Sequence, residues 1–240
     1  MTSYKPVTHV IFDLDGTLLD TEDIFTQIYQ SIAERIREGF TWKLRAQCMG
    51  RPANEAISCM IHELQLPITV QEFQDIARND FFDVAEERFL TCKAKPGVEK
   101  LVKHLYENKI PLAIATSSKK ETYDLKTKNH KELLNLFHHS VLAPNEPEVK
   151  RGKPAPDVFL ICAGRFDERP APEKILVFED SPSGVLAAVA AGMQVVMIPD
   201  PRVDAKLCKN ATLICYILVI TALPEQSPSR VSKTRYNILV

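Results

Sequence analysis

The sequence predicts an α/β fold, in which helices cover both faces of a parallel sheet, and three observations support this prediction. Short apolar runs rich in β-branched residues recur along the chain, and they are continuous rather than alternating, as in strands buried on both faces. Segments with helical periodicity lie between most of these runs. From about residue 22 to residue 93 the sequence contains no clear strand, which predicts a helical insertion into the sheet domain.

The predicted strands are continuous apolar runs that end in polar clusters. They cover residues 9–13, 111–118, 140–143, 174–180 and 194–200. Apolar residues at helical spacing predict helices between several of them, at 97–109, 155–166 and 183–193. This order favours a Rossmann-like sheet, and such sheets bind ligands beyond the carboxyl ends of their strands.

The insertion is predicted to be a bundle of helices. Segments 53–64 and 71–90 have helical spacing. A stripe of isoleucines predicts a further helix before them: Ile24, Ile28, Ile32 and Ile36. The resulting domains are a Rossmann-like core (1–20 and 94–205), a helical cap (21–93) and a divergent C-terminal tail (206–240), whose polar end we expect to be loosely attached.

Composition indicates the class of protein. The 240 residues include 30 Lys and Arg against 31 Asp and Glu, a net charge of −1, so we expect no nucleic-acid partner. The longest apolar run, 211–223, is too short and too β-branched for a membrane span, so we expect no membrane partner. Six cysteines without a CxxC pair, and an N-terminus without a secretory signal, favour a cytoplasmic protein with reduced thiols.

Two aspartates, Asp13 and Asp15, directly follow the first predicted strand in "FDLDGT". On a strand they share a face, and carboxylates so close repel each other unless a cation lies between them. Such a pair suits a nucleophile, a general acid and base, or a metal site. The alternative is a polar strand end that only caps a helix.

Three further polar positions occur at predicted strand ends or helix starts: Thr116, Lys153 and the pair Glu179–Asp180. Taken alone, each has a simpler explanation. A threonine can end a strand, a lysine before proline is usually a solvated charge, and an acidic pair can stabilise a helix N-terminus. Their order along the chain after the two aspartates favours a joint function.

These motifs resemble those of the haloacid dehalogenase-like hydrolase superfamily. The matching stretches are "FDLDGTLLD", "AIATSS", "GKPAPD" and "VFEDSPSGVLAA", and the similarity covers about residues 7–200. Within the superfamily the chain is most similar to the pseudouridine-5′-phosphatase group, through "HKELLNLF", "AAGMQVVMIPD" and "MGRPANEA". That similarity fades after about residue 213.

The resemblance implies a role for each motif residue. Asp13 is the nucleophile that becomes an aspartyl phosphate, and Asp15 is the general acid and base. Thr116 and Ser117 hold phosphate oxygens, and Lys153 neutralises charge on both nucleophile and phosphate. An aspartate at the position of Asp15 favours phosphoryl transfer over dehalogenation, which needs no proton donor to an alkoxide.

The resemblance also implies Mg²⁺ as cofactor and the cap as a lid. The implied metal ligands are the side chains of Asp13 and Asp180, the backbone carbonyl of Asp15, and Glu179 directly or through water. In the cap, Arg51 is the residue expected to face the substrate, although a surface arginine is the simpler interpretation. The hinges are expected near Thr21–Glu22 and 94–96.

The expected function is a Mg²⁺-dependent phosphatase of a small phosphorylated metabolite, with pseudouridine 5′-phosphate as the leading substrate. A sugar-phosphate phosphatase and a phosphomutase are close alternatives. A catalytically silent binding protein of the same fold is the alternative from another class. A monomer is the expected oligomeric state.

Overall fold

A computed structural model describes residues 5–35 and 41–216 of the chain. Within these ranges the side chains of 28–29, 31–35 and 77–85 are not described. Three members of the predicted isoleucine stripe therefore lie outside the described side chains. The tail beyond residue 216 lies outside the described residues as well.

In the described ranges, six parallel strands form one sheet in the order β3-β2-β1-β4-β5-β6. The strands are β1 (His9–Phe12), β2 (Leu112–Thr116), β3 (His139–Leu142), β4 (Ile175–Glu179), β5 (Gln194–Met197) and β6 (Leu213–Ile214). The predicted α/β class is confirmed. The sequence did not predict β6, because its two residues begin a longer apolar run with no turn residue to mark a strand end.

Helices cover both faces of this sheet. They are α5 (Val98–Glu107), α6 (Lys120–Thr127), α7 (Lys131–Leu134), α8 (Asp157–Gly164), α9 (Pro182–Ala190) and α10 (Ala205–Cys208). Successive β1 side chains alternate between the two layers, since Val10 and Phe12 pack with α5 while Ile11 packs with α8 and α9. Continuous burial of β1 explains why its sequence is an unbroken apolar run.

The segment between β1 and α5 folds as four helices in the described residues. These are α1 (Glu22–Arg35), α2 (Trp42–Cys48), α3 (Ala53–Glu63) and α4 (Val70–Thr91). The last three bury a small core of their own, which includes Leu44, Met60 and Phe89. Thr69 starts α4 with a reciprocal cap, because its hydroxyl accepts from the Glu72 N–H at 3.2 Å and its own N–H donates to the Glu72 carboxylate at 2.7 Å.

The chain segments that enter and leave this helical insertion lie side by side. The Asp20 N–H donates to the Lys93 carbonyl at 2.8 Å, and the Lys95 N–H donates to the Leu18 carbonyl at 2.9 Å. Both ends of the insertion therefore sit at one point, beside the carboxyl end of β1.

None of the six cysteines, all of which lie in the described residues, forms a disulfide, and five of them are buried. The described helices include none with the length and apolar character needed to cross a bilayer.

Candidate active site

The sheet order brings the predicted site residues to one edge. Asp13 directly follows β1, Thr116 ends β2, and Glu179 ends β4 with Asp180 next to it. Since β1 pairs with both β2 and β4, the carboxyl ends of three neighbouring strands meet there. The first, second and fourth motifs converge for this reason.

Three acidic side chains form a compact buried group: Asp13, Glu179 and Asp180. Their ligand atoms lie within 4.8 Å of one another, and the residues are between 0% and 5% exposed. The Thr17 hydroxyl donates to Oδ1 of Asp180 at 3.4 Å. Among the described residues, this is the group of acidic, histidine or cysteine side chains with spacing suited to a metal ion.

Lys153 completes the group from a loop that lies far away in the sequence. Its fully buried ammonium donates to Oδ1 of Asp13 at 2.5 Å and to Oε1 of Glu179 at 2.7 Å. The other oxygen of Glu179 accepts from the backbone N–H and the hydroxyl of Ser181, both at 2.9 Å. Both oxygens of Glu179 are thus occupied, so Glu179 orients the lysine.

The electrostatics of Asp13 reflect burial without full charge compensation. Burial raises the pKa of Asp13, and the negative charges of Glu179 and Asp15 raise it further, while Lys153 lowers it. The net result is a pKa of about 8 for Asp13. The one ammonium therefore offsets only part of the effect of burial on this carboxylate.

Asp180 shows the same excess of negative charge. Burial raises its pKa well above the ordinary value, and the nearby carboxylates of Glu22 and Glu179 contribute. Burial would lower the pKa of Lys153, but its two carboxylate partners raise it above the ordinary value. When all three carboxylates are ionised they exceed the one ammonium by two negative charges, and this all-oxygen donor set fits a hard divalent cation such as Mg²⁺.

Gly16 allows the loop after β1 to approach this group. Its φ of +78° is in the left-handed region. A Cβ at this position would lie 2.1 Å from Oδ2 of Asp180, closer than side chains tolerate. The glycine of the first motif is therefore required both by the backbone conformation and by the packing of a carboxylate.

The side chain of Asp15 faces a different partner from Asp13. Its carboxylate accepts from the Lys126 ammonium at 2.7 and 2.8 Å, from the Ser118 hydroxyl at 2.6 Å and from the Thr21 hydroxyl at 2.8 Å. Burial would raise the pKa of Asp15, but Lys126 and the two hydroxyls outweigh it and hold the pKa below its ordinary value. A side chain held in this way leaves only the backbone carbonyl of Asp15 for the metal role that the resemblance implies.

Sequence reasoning missed Lys126 entirely. It lies in the polar stretch "KKETYDLKTKNHK", where a lysine normally belongs to a solvated helix face. No motif or spacing marks it, and 111 residues separate it from Asp15.

The loop after β2 contains the predicted phosphate ligands. Thr116 is buried, and its hydroxyl accepts from the Ser118 N–H at 3.1 Å, which folds the loop back on itself. The Ser117 hydroxyl donates to the Gly50 carbonyl in the insertion at 3.0 Å. Ser117 therefore joins this loop to the helical insertion.

A second serine also binds the insertion. The Ser183 hydroxyl donates to the Met49 carbonyl at 2.5 Å. Gly50 has a φ of +70°, and a Cβ there would lie 2.1 Å from the Ser181 hydroxyl oxygen. The segment between α2 and α3 thus docks closely on the start of α9, over the acidic group.

Arg51 follows this docking point directly. It is partly exposed, and its Nε is buried without a hydrogen-bond partner among the described residues. Another arginine that sequence reasoning missed, Arg45 of α2, forms a buried ion pair with Glu22 of α1. The insertion therefore places two arginines near the site, of which Arg45 already has a carboxylate partner.

Comparison with known proteins gives the family of the chain. Residues 10–198 match the model of the family described as haloacid dehalogenase-like hydrolase. The (DL)-glycerol-3-phosphatase 2 of Arabidopsis thaliana is 46% identical over 199 residues, which cover 82% of this chain and 82% of the relative. A Drosophila melanogaster protein named as a probable pseudouridine-5′-phosphatase is 41% identical over 210 residues, 88% of this chain and 89% of that protein.

Solved structures share the fold. The crystal structure of the beta-phosphoglucomutase from Clostridium difficile superposes with a TM-score of 0.70 at 21% identity, covering 88% of this chain and 92% of that one. At this identity the likeness concerns the fold, a parallel sheet with a helical insertion.

Proposed function

This chain belongs to the haloacid dehalogenase-like hydrolase family and is a phosphatase of small phosphomonoesters, and we propose that it works with Mg²⁺ through a phosphorylated Asp13. The resemblance that the four motifs indicated is confirmed at the level of the family. The observation that most supports the proposed mechanism is the convergence of Asp13, Glu179, Asp180 and Lys153 in one buried group.

The proposed chemistry starts from charge. Phosphate monoesters carry two negative charges near neutral pH, so a carboxylate nucleophile meets repulsion. A bound Mg²⁺ would offset it at the acidic group. Asp13 attacks phosphorus, and Lys153, which already touches Asp13, balances the charge of both groups. Thr116 and the backbone N–H groups that follow it hold the phosphate oxygens.

Asp15 handles the proton in both steps. Its carboxyl group gives a proton to the leaving alkoxide as the ester bond breaks. Its carboxylate then accepts a proton from the water that hydrolyses the phosphorylated Asp13. The low pKa of Asp15 in its present surroundings favours the carboxylate, the form that the second step needs.

The helical insertion is proposed to act as the lid. It docks over the acidic group through Ser117 and Ser183, and a closed lid excludes water until the leaving group has gone. Arg51, at the docking segment, is proposed to contact the substrate from the lid side.

Two substrates have specific support. Pseudouridine 5′-phosphate is the substrate that the sequence resemblance favours, and a relative named as a probable pseudouridine-5′-phosphatase is 41% identical. Glycerol 3-phosphate is the second candidate, because a glycerol-3-phosphatase is 46% identical over 82% of the chain. A monomeric state and a cytoplasmic location remain predictions.

The test is release of inorganic phosphate by the purified chain from p-nitrophenyl phosphate and from a panel that includes both candidates and hexose monophosphates. We expect turnover that needs Mg²⁺ and falls at least about a thousandfold in Asp13→Asn. The exposed Asp167→Asn is the matched control and retains activity. Mg²⁺ binding without turnover would indicate a silent binding protein, and phosphoryl return to product instead of phosphate release would indicate a mutase.

A further inference from the structure

Lys126 is a buried lysine that none of the four motifs includes. It lies near the end of α6 and is 1% exposed. Its ammonium donates to both carboxylate oxygens of Asp15, at 2.7 and 2.8 Å, and to the Ser118 hydroxyl at 2.6 Å. Burial of an ammonium is costly unless partners compensate for lost hydration, and here the partners are Asp15 and Ser118.

The ammonium also lies close to aromatic rings of the insertion. Nζ of Lys126 lies 5.2 Å from the ring centroid of Phe25 in α1 and 5.4 Å from that of Phe89 in α4. Ring faces attract cations, and the attraction is larger where water is excluded. The ammonium thus contacts both Asp15 and two helices of the insertion.

Asp15 needs such an external support. It follows a strand end and precedes Gly16, whose positive φ marks a sharp turn, so the local backbone does not by itself fix where its carboxylate points. Ser118 strengthens the same arrangement, because its hydroxyl accepts from Lys126 and donates to Oδ2 of Asp15 at 2.6 Å. Together the ammonium and this hydroxyl fix both carboxylate oxygens.

We propose that Lys126 is a positioning residue that fixes the carboxyl group of Asp15 for proton transfer, a role that rests on the function proposed above. In the first step the Asp13–phosphorus bond forms, the bond from phosphorus to the leaving oxygen breaks, and the Asp15 proton moves to that oxygen. In the second step the oxygen of a water molecule bonds to phosphorus, its proton moves to Asp15, and the Asp13–phosphorus bond breaks. Lys126 keeps its protons throughout and acts only through Asp15.

The test uses the dependence on the leaving group. A p-nitrophenolate leaves without a proton, whereas an alkoxide needs one. The ratio kcat/KM covers binding and the first chemical step but not hydrolysis of the phosphorylated Asp13. The substrates are therefore p-nitrophenyl phosphate and the aliphatic phosphate that the panel above shows to be turned over fastest. Lys126→Met keeps the side-chain length and removes the ammonium. Lys120→Met is the matched control, because Lys120 lies on the same helix with an exposed partner, Asp124.

In Lys126→Met we expect kcat/KM for the aliphatic ester to fall by roughly 10- to 100-fold, a fraction of what general acid catalysis contributes, and kcat/KM for the aryl ester to change far less. Loss of the positive charge by itself favours the protonated form of Asp15, so a fall in kcat/KM reports the lost positioning and not the changed charge. In Lys126→Arg the loss of kcat/KM for the aliphatic ester should be smaller than in Lys126→Met. Lys120→Met should leave kcat/KM for both esters unchanged. Equal losses for the two esters, or no loss, would overturn the role of Lys126 while the proposed function stands.

A second variant covers the case in which Lys126→Met does not fold. Ser118→Ala removes a single oxygen that bridges Lys126 and Asp15. It should lower kcat/KM for the aliphatic ester more than for the aryl ester, but less strongly than Lys126→Met does. Lys126→Gln, which removes the charge and keeps a neutral donor, is measured beside it, and an unchanged ratio of the two esters in both variants would overturn the proposal. Absence of any turnover by the unmodified chain would instead overturn the proposed function, and the role of Lys126 with it.

Discussion

The ammonium of Lys153 lies 2.5 Å from Oδ1 of Asp13, although 140 residues separate them in the chain. The same ammonium reaches Oε1 of Glu179, so one cation serves two carboxylates on neighbouring strands. Both carboxylates are buried, and neither has another cation among the described residues. The same ammonium therefore compensates their charge in the folded protein and contacts the proposed nucleophile.

Removal of that ammonium is expected to destabilise the protein as well as inactivate it. Lys153→Met leaves two buried carboxylates without their cation, and a broken buried pair of this kind costs about 3–5 kcal/mol. Urea unfolding of the metal-free protein at neutral pH measures the loss. Lys120→Met, which removes an exposed lysine, should change the unfolding free energy by less than about 1 kcal/mol. Equal stability of the two variants would show that Lys153 does not compensate the buried charge.

Metal removal should make stability depend on pH in a particular direction. The pKa of Asp13 rises from 3.8 to about 8 on folding, so between these values the folded state binds more protons than the unfolded state. Stability of the metal-free protein should therefore fall as pH rises through this window, and the raised pKa of Asp180 acts in the same sense.

Mg²⁺ should reverse that loss, because its binding requires ionised carboxylates. Thermal melts in EDTA and in Mg²⁺, at about pH 5 and about pH 8, measure both effects, and stabilisation by Mg²⁺ should be larger at the higher pH. Asp13→Asn removes the carboxylate and should weaken both the pH dependence and the response to Mg²⁺. A larger Mg²⁺ effect at the lower pH would contradict the assignment.

The docking of the insertion can be tested through Gly50. An alanine there is strained at a φ of +70° by about 1–2 kcal/mol, and its Cβ would collide with the Ser181 hydroxyl. If this segment must dock for catalysis, kcat/KM in Gly50→Ala should fall by roughly 5- to 30-fold or more. Gly164→Ala is the control, since a Cβ at Gly164 meets nothing within 4 Å. Full activity in Gly50→Ala would rule out a need for this close contact.

Arg51 makes a separate prediction about substrate binding. If its guanidinium contacts the substrate, Arg51→Ala should remove a charge-assisted hydrogen bond of about 1.5–3 kcal/mol. KM should then rise roughly ten- to a hundredfold with kcat nearly unchanged. Arg88→Ala, an exposed arginine of the insertion, is the comparison. An unchanged KM in Arg51→Ala would show that Arg51 is a surface arginine that does not contact the substrate.

Most of the sheet was predictable because buried parallel strands have continuous apolar sequences that polar residues terminate. For the same reason Asp13, Thr116 and the Glu179–Asp180 pair were predictable as neighbours, since carboxyl ends of adjacent parallel strands meet. The seven residues of α2 are too few to display a helical period, and β6 lies within a longer apolar run, so neither was predicted.

Lys126 shows the limit of sequence reasoning at the site. A lysine in a polar helix is indistinguishable by sequence pattern from its solvated neighbours, and only the tertiary fold brings α6 against Asp15 and two aromatic rings. The same holds for the Arg45–Glu22 pair, which joins two helices of the insertion. Partners that come from different elements need the three-dimensional arrangement to be found.

The paired backbones at Leu18–Lys95 and Asp20–Lys93 have a consequence for evolution. The chain leaves the sheet and returns to it at the same place. A short turn could therefore replace the helical insertion without displacing a strand. Such a module can be enlarged, trimmed or exchanged while the phosphoryl-transfer apparatus stays untouched. Proteins with the same chemistry can therefore come to accept different substrates through changes in this insertion alone.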